Sequence, residues 1–317
     1  MRSGRLLGIL IVGLILVAGS WYFLNKQPRV SSVAWMAPDT TVIPYDERGA
    51  LIRYGRELIV HTSKYLGPRG IITATSNGMN CQNCHLEAGT KPFGNNYSAV
   101  ASTYPKYRDR SGSLETIQKR VNDCIERSLN GSPLATDSRE MNAIVQYIWW
   151  LGKDVPRSER PEGSGLVAPA FIDRPADPVK GKVSFDQKCA LCHGKNGEGL
   201  IATNNTEWLY PPLYGKDSYN DGAGLYRLIS FAAFIKSNMP LGASYKNPLL
   251  TDTEAWDIAA YVNSLERPHK DTPADWPDIS KKPVDHPFGP FVDGFSEQQH
   301  KFGPFEPIIA ARKKQSK

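Results

Sequence analysis

Two short stretches, NCQNCHLEAG at residues 80–89 and KCALCHGKNGEG at residues 188–199, contain the same arrangement of two cysteines and a histidine. In each stretch two residues separate the cysteines, and the histidine follows the second cysteine directly. This pattern is the attachment signature of c-type haem, in which both thiols bond to the haem and the histidine binds the iron. One half of a zinc site and a redox-active dithiol are the alternatives, and a histidine after both pairs disfavours them. The sequence therefore predicts two covalently bound haem c groups, attached through Cys81, Cys84, Cys189 and Cys192, with His85 and His193 as iron ligands.

The composition is that of a globular protein large enough for two domains. The chain has 317 residues, of which 40% are hydrophobic and 22% charged, so each of two domains can bury a core of its own. The net charge of +6 attracts anions, but it is spread along the chain and does not indicate nucleic-acid binding. We therefore expect no nucleic acid among the partners.

The first 27 residues, MRSGRLLGILIVGLILVAGSWYFLNKQ, have the features of an export segment. Arg2 and Arg5 precede an uncharged run at residues 6–24, which at about 1.5 Å per residue is long enough to cross the hydrocarbon core of a membrane. Segment 1–27 is predicted to be an uncleaved transmembrane anchor, and a secretory signal peptide cleaved among the small residues 17–19 is the alternative. Either way the remainder is exported, and the predicted location is the periplasm, with a tether to the inner membrane if the anchor is retained.

The surroundings of the two haem motifs repeat as well. TDSREMNAIVQYIWWL at residues 136–151 is similar to TDTEAWDIAAYVNSL at residues 251–265, and both are amphipathic and begin with a Thr-Asp pair that can cap a helix. A further helical pattern precedes each haem motif, at residues 54–67 and 179–189. A helix, a haem motif, middle helices and a terminal helix make up the all-α cytochrome c fold, which is here predicted twice.

The predicted fold class is all-α, with two tandem cytochrome c domains, an N-terminal transmembrane helix and an extended C-terminal strap. A stretch rich in proline, glycine and charge joins the domains and is predicted to be a linker. The late segments HPFGPF and HKFGPF are expected to pack phenylalanines against the domains as an extended strap. The predicted boundaries are 1–27 for the anchor or signal peptide, 45–156 for the first domain, 157–175 for the linker, 176–268 for the second domain, and 269–317 for the strap and basic tail.

The internal repeat indicates the second axial ligand of each haem. Met239, in the loop NMP, lies 22 residues before Tyr261, and it is the predicted ligand of the second haem. In the first half, Cys124 lies 23 residues before Tyr147, whereas Met141 lies only six residues before it. Cys124 therefore occupies the position of a ligand, and Met141 is predicted to lie in the core. The alternative for Cys124 is an ordinary buried cysteine.

Cationic and hydroxyl side chains accompany Cys124. Arg120, Cys124 and Ser128 are spaced at i, i+4 and i+8 in the segment SLETIQKRVNDCIERSLNG, so on a helix they lie along one stripe. Arg110 belongs to the preceding loop, YRDRSGS. A guanidinium beside the sulfur favours a thiolate and offers planar donors to an oxyanion, although such arginines are more often solvated surface charges. We expect these four residues to form an anion-binding site.

With two CxxCH motifs, a cysteine in a ligand position and the NMP loop, the sequence resembles the dihaem thiosulfate dehydrogenase and tetrathionate reductase family of exported cytochromes. The resemblance runs from about Tyr45 to the C-terminus, and NDCIERS after RDRSGS is its most specific part. It implies an enzyme that joins two thiosulfates oxidatively to tetrathionate, or catalyses the reverse reaction, at the haem held by His85 and Cys124.

The resemblance also implies roles for individual residues. Arg110, Arg120 and Ser128 match the substrate-binding positions of the family, and electrons would leave through the haem held by His193 and Met239. Some members present a lysine just before this methionine, where this chain has Asn238, so no exchange between lysine and methionine ligands is expected. Cys124 is hypothesised to leave the iron during turnover and to hold a sulfur-bound adduct, because thiolates exchange with S–S bonds.

Two other functional classes remain open at this point. A membrane-tethered dihaem electron carrier is the main alternative, but such a carrier needs neither a cysteine ligand nor paired arginines. A subunit of a sulfur-carrying complex is more distant, because it would lack a complete second domain. The expected partners of the enzyme are thiosulfate, tetrathionate and a periplasmic redox partner, such as a small cytochrome c or a quinol-linked complex in the membrane.

Overall fold

The structure, a computed structural model, describes residues 29–203 and 207–315. Two groups of helices surround two separate hydrophobic cores. The helices of the first group and its surroundings are α1 (Glu47–Val60), α2 (Thr62–Leu66), α3 (Leu86–Gly89), α4 (Val100–Thr103), α5 (Ile117–Arg127) and α6 (Arg139–Leu151). The remaining helices are α7 (Pro178–Lys188), α8 (Ala190–His193), α9 (Leu228–Asn238), α10 (Asp252–Ser264), α11 (Glu297–Phe302) and α12 (Glu306–Gln315).

The first and last long helices of each group cross at a glycine. In the first group, a Cβ atom on Gly55 of α1 would overlap the carbonyl oxygen of Ala143 in α6. In the second group, a Cβ atom on Gly181 of α7 would overlap the carbonyl oxygen of Asp257 in α10. Each glycine therefore lets two helix backbones approach more closely than any larger residue allows. The predicted repeat is confirmed at this level of packing.

Helix boundaries depend on caps that the sequence only partly revealed. The side chain of Thr251 accepts a hydrogen bond from the backbone N–H of Glu254 and begins α10 as predicted. In α6, however, the capping side chain is that of Ser138, which accepts from the backbone N–H of Met141. Met141 itself is fully buried, as predicted. The first predicted helix is interrupted at His61.

Short strands correct the all-α fold class. β1 (Arg29–Ala34) pairs in parallel with β4 (Glu159–Glu162), and two antiparallel pairs are formed by β2 (Lys106–Arg108) with β3 (Ser113–Glu115) and by β5 (Leu200–Ile201) with β6 (Trp208–Tyr210). Of the residues that the structure describes, only 42% are helical. The prediction missed these pairs because five of the six strands have four residues or fewer, too few to show an alternating pattern. The prediction also placed Ser113–Glu115 in a helix, whereas these residues form β3. The helix α5 begins only after Thr116, whose side chain caps it.

The transmembrane helix is a second correction to the fold class. Within residues 29–203 and 207–315, no helix combines the length and the apolar character that a membrane span requires. The segment on which that prediction depended, residues 6–24, lies outside the described residues. The described residues therefore give the predicted transmembrane helix no support.

The C-terminal segment is less extended than predicted. After a stretch that contains only one 3-10 turn, at Ile279–Lys281, the chain ends in α11 and α12. Phe302 and Phe305 are buried in the second core. The buried ring of His300 contacts Asp293 at 2.9 Å and the carbonyl oxygen of Val284 at 2.8 Å. The segment is thus anchored by polar contacts as well as by phenylalanines.

The helix crossing gives a prediction for Gly181. Alanine is normally the better helix former by about 1 kcal/mol, but the Gly181→Ala variant must push α7 away from α10. We expect a net loss of about 1–3 kcal/mol in unfolding free energy, measured by chemical denaturation of the haem-loaded protein. Gly294→Ala is the matched control, because a Cβ atom there meets no atom within 4 Å. Equal stability of the two variants would contradict the close crossing.

Candidate active site and haem cavities

The first cavity lies within the first group of helices and has a volume of about 330 Å³. Cys81, Cys84, His85 and Cys124 all line it. The Nδ1 atom of His85 lies 2.5 Å from the carbonyl oxygen of Asn95. Because a carbonyl can only accept, Nδ1 carries the proton and Nε2 keeps a lone pair that can bind a metal.

The second cavity, of about 570 Å³, has an equivalent set of residues. Cys189, Cys192, His193 and Met239 line it together with apolar side chains of α7, α9 and α10. His193 donates from Nδ1 to the carbonyl oxygen of Pro211 at 3.0 Å, so its Nε2 atom is also free to bind iron. Cys84 of the first motif lines this cavity too. The two cavities therefore meet at the first attachment motif.

The residues present fit two covalent haem groups. All five cysteines are free thiols, and burial raises the pKa of Cys81 to about 11 and that of Cys84 to about 12. Burial likewise raises the pKa of Cys189 to about 12. Across the described ranges, no three His, Cys, Asp or Glu side chains are grouped to hold a bare metal ion, which disfavours the zinc alternative. Two cysteines and a histidine with a free Nε2 atom on one cavity wall are the groups that attachment of c-type haem uses.

Cys124 is in direct contact with a cation. The Nη1 atom of Arg120 lies 3.1 Å from Sγ of Cys124, one helical turn further along α5. Burial opposes ionisation of the thiol, but the guanidinium of Arg120 outweighs it, and the pKa of Cys124 falls to about 6. The thiolate in turn raises the pKa of Arg120. At neutral pH the pair is therefore a thiolate and a guanidinium.

Ser128 and Arg110 occupy different positions relative to this pair. Ser128 follows α5 directly and lines the same cavity as Arg120 and Cys124. Arg110 is absent from the described residues that line it. Burial, reinforced by repulsion from Arg127 and Arg120, lowers the pKa of Arg110 to about 10, so it stays charged at neutral pH and lies within electrostatic reach of Arg120. The structure thus brings Arg120, Cys124 and Ser128 together, with Arg110 behind them.

The C-terminal segment holds the loop that carries Arg110. The backbone N–H of Trp276 donates to the carbonyl oxygen of Arg110 at 2.7 Å, and the guanidinium of Arg110 lies over the indole ring, 5.8 Å from its centre. Next to it, Asp275 accepts two hydrogen bonds of 2.8 Å from Arg127 of α5. Residues near the end of the chain therefore fix the position of a side chain in the first domain.

Sequence reasoning missed three cations on the wall of the first cavity. Lys106 and Arg108 come from β2, and Arg160 comes from β4 within the predicted linker. Once the strand is known, alternation along it places Lys106 and Arg108 on one face, but three residues give too little periodic signal to predict the strand itself. No comparable signal exists for Arg160, because its position depends on the pairing of β4 with the distant strand β1.

Met239 lies directly after α9, where the side chains around it are already engaged. The ammonium group of Lys236 contacts Asp252 at 2.8 Å and donates to the carbonyl oxygen of Leu250 at 2.6 Å. Asn238 donates to the carbonyl oxygens of Phe93 and Phe234. The ammonium group of Lys236 is therefore not free to bind a metal, whereas Asn238 and Met239 both line the cavity.

Two domain families match the two cavities. The SoxA/TsdA cytochrome c domain matches residues 73–156, and the cytochrome c domain matches residues 178–266. Over 243 residues the chain is 42% identical to a thiosulfate dehydrogenase of Psychrobacter arcticus, covering 76% of this chain and 71% of that protein. The chain belongs to the thiosulfate dehydrogenase family.

Other members of the family agree. A thiosulfate dehydrogenase of Stutzerimonas stutzeri is 38% identical over 231 residues, which cover 73% of this chain and 72% of that protein. Among solved structures, the thiosulfate dehydrogenase TsdBA of Marichromatium purpuratum in its as-isolated form matches with a TM-score of 0.69 and 30% identity. That match covers 86% of this chain and 54% of the other.

Family membership confirms several predictions made from the sequence. The chain is a dihaem oxidoreductase of the thiosulfate dehydrogenase family, with two cytochrome c domains and two covalently bound haem c groups. The predicted domain boundaries and the roles of individual site residues are not tested by these similarities, and they stay predictions.

The bidentate contact to Arg127 gives a second prediction. Asp275→Ala leaves a largely buried guanidinium without its carboxylate, and we expect the unfolding free energy to fall by about 2 kcal/mol. The measurement is chemical denaturation of the haem-loaded protein. Asp271→Ala removes the same charge from an exposed position of the same segment and should change stability by less than about 0.5 kcal/mol. A similar effect of both substitutions would indicate that net charge, not the contact, is responsible.

Proposed function

We propose that this protein interconverts thiosulfate and tetrathionate at a first haem held by His85 and Cys124, and that a second haem held by His193 and Met239 carries the electrons. The observation that carries the proposal is the contact of 3.1 Å between Arg120 and Cys124 on the wall of the first cavity. A plain electron carrier has no need for a charged thiolate beside a guanidinium. The similarity to thiosulfate dehydrogenases supports the same substrate.

Arg110, Arg120 and Ser128 are proposed to bind the substrate. Joining two dianions brings like charges together, so the site must supply positive charge where the new bond forms. Arg120 offers a planar group of donors to sulfonate oxygens. In the described part of the chain the hydroxyl of Ser128 has no hydrogen-bond partner, so it is available to a ligand in the cavity.

Cys124 is proposed to act as a nucleophile as well as an iron ligand. Its thiolate bonds to the terminal sulfur of one thiosulfate, and two electrons leave as this S–S bond forms. The terminal sulfur of a second thiosulfate then attacks the sulfur bound to Cys124. Tetrathionate is released, and Cys124 leaves as a thiolate, which Arg120 stabilises. The reverse sequence reduces tetrathionate to two thiosulfates.

When bound, the two haems supply two one-electron acceptors within one chain. The cavities that meet at Cys84 favour transfer between them. The protein acts in the periplasm, the compartment of the cytochrome c thiosulfate dehydrogenases. Its electron partner is proposed to be a small periplasmic cytochrome c or a quinol-linked complex.

The catalytic role of Cys124 is tested by Cys124→Gly. We expect kcat/KM for thiosulfate oxidation with ferricyanide to fall by at least about 10³-fold, because both the iron ligand and the nucleophile are lost. Cys124→Met is the matched variant, since it keeps a sulfur ligand but cannot form an S–S bond; it should lose as much activity while restoring two sulfur-ligated haems. Activity that survives in either variant would remove Cys124 from the reaction.

A covalent adduct is the direct readout of the same role. After incubation with tetrathionate, the peptide that contains Cys124 should gain the mass of one thiosulfate group, and the gain should be reversed by a thiol reductant. Peptides from Cys124→Met serve as the control. No gain in mass under turnover conditions would contradict the adduct.

The second haem should keep one set of ligands in both redox states. Lys236 is held by Asp252 and Leu250, whereas Met239 lines the cavity together with His193. We expect spectra of methionine ligation in the ferric and ferrous states, and an unchanged potential in Lys236→Gln. A nitrogenous ligand that gives way to methionine upon reduction would contradict this assignment.

A further inference from the structure

The product that this site must hold has negative charge at both ends. If Arg110, Arg120 and Ser128 take one sulfonate, as the proposed function states, the second sulfonate needs a separate group of cations. Tetrathionate has three consecutive S–S bonds of about 2 Å each. Its two sulfonate sulfurs, one at each end, therefore lie within about 6 Å of each other. The second group of cations must therefore face the cavity that Arg120 and Ser128 line.

Three further cations do face it. Lys106 and Arg108 alternate with the exposed Tyr107 along β2, so their side chains lie on one face of the strand, and both line the cavity that contains Cys124. Arg160 approaches the cavity from β4. Burial, reinforced by repulsion from Arg108 and Arg160, lowers the pKa of Lys106, which shows that the three charges are close together.

Few carboxylates of the protein neutralise the charge of these three cations. Among the described residues, the side chains of Lys106 and Arg160 make no hydrogen bond and no ion pair. The nearest carboxylate to Arg108 is that of Glu115, at 3.9 Å, and Asp109 offsets part of the charge around Lys106. Partly buried cations that repel one another, two of them with no partner among the described residues, are stabilised by a bound anion.

Backbone geometry leaves room for one of them. Gly165 also lines the cavity and has a φ of +80°, and a Cβ atom there would lie 2.9 Å from Nη2 of Arg160. The absence of a side chain lets the guanidinium lie against the backbone at the cavity wall. The guanidinium of Arg160 is thus packed against the cavity wall and does not extend into solvent.

We propose that Lys106, Arg108 and Arg160 form an outer anion site that binds the sulfonate of the second thiosulfate, or the distal sulfonate of tetrathionate. The outer site holds the second thiosulfate with its terminal sulfur towards the adduct on Cys124. In the step that follows, the terminal sulfur of the second thiosulfate forms an S–S bond with the sulfur that is bound to Cys124. The bond between that sulfur and Cys124 breaks at the same time, and no further electrons are exchanged. The inference depends on the proposed function, because it assigns the second of its two substrates.

Equilibrium binding of tetrathionate tests the outer site without turnover. In the oxidised, haem-loaded Cys124→Met background, isothermal titration calorimetry should give a Kd about tenfold weaker for Lys106→Gln and for Arg160→Gln, because each loses a charge-assisted contact. Arg160→Lys should recover part of the loss. Lys153→Gln, which removes an exposed charge of the same domain, should stay within about twofold of the background.

Steady-state kinetics in the otherwise unchanged protein provide a second readout. Lys106→Gln and Arg160→Gln should raise KM for tetrathionate about tenfold, and the gain in mass at Cys124 should still occur at saturating tetrathionate. Unchanged Kd and KM in both variants would overturn the outer site while leaving the proposed function intact. Differences that disappear at 0.5 M salt would also overturn it, because they would indicate long-range attraction and not contact. Failure of tetrathionate to bind the Cys124→Met background, together with no mass gain in the natural protein, would overturn the proposed function itself.

Discussion

The contact between Arg120 and Cys124 is the interaction on which the proposed chemistry depends. A buried thiol would ordinarily stay neutral, and a neutral thiol is both a weak iron ligand and a weak nucleophile. The guanidinium one turn away reverses that preference and lowers the pKa of Cys124 to about 6. Because both residues belong to α5, local helix geometry sets their spacing, and no distant part of the fold has to bring them together.

The two domains use the same framework for different purposes. In both, helices cross at a glycine, a proximal histidine is oriented by a backbone carbonyl, and a sulfur side chain shares the cavity. They differ in the charge on that cavity. Among the described residues, the first is lined by four cations and no carboxylate, whereas the second is mainly apolar and has two lysines balanced by two glutamates. A cationic wall suits exchange of anions with solvent, and an apolar wall suits electron transfer without ligand exchange.

The sequence predicted what local pattern can encode. The haem motifs, the repeated terminal helices and the position of Met141 in the core followed from spacing alone, and the stripe from Arg120 to Ser128 followed from helical periodicity. The β2–β3 hairpin was missed because three residues per strand give almost no periodic signal. Arg160 could not have been found, since it reaches the cavity through a strand pair that joins residues more than a hundred positions apart. Pattern within one element is visible in a sequence, whereas contact between distant elements is not.

The hydrogen bond from Trp276 to the loop of Arg110, together with the pairing of Asp275 with Arg127, has a consequence for the maturation of the protein. The first domain has its own hydrophobic core and haem cavity, but residues from the C-terminal segment complete its anion-binding face. That face is therefore complete only when the C-terminal segment has docked on the first domain. An isolated N-terminal half would be a cytochrome that binds haem but lacks the contacts of the C-terminal segment that hold Arg110 and Arg127.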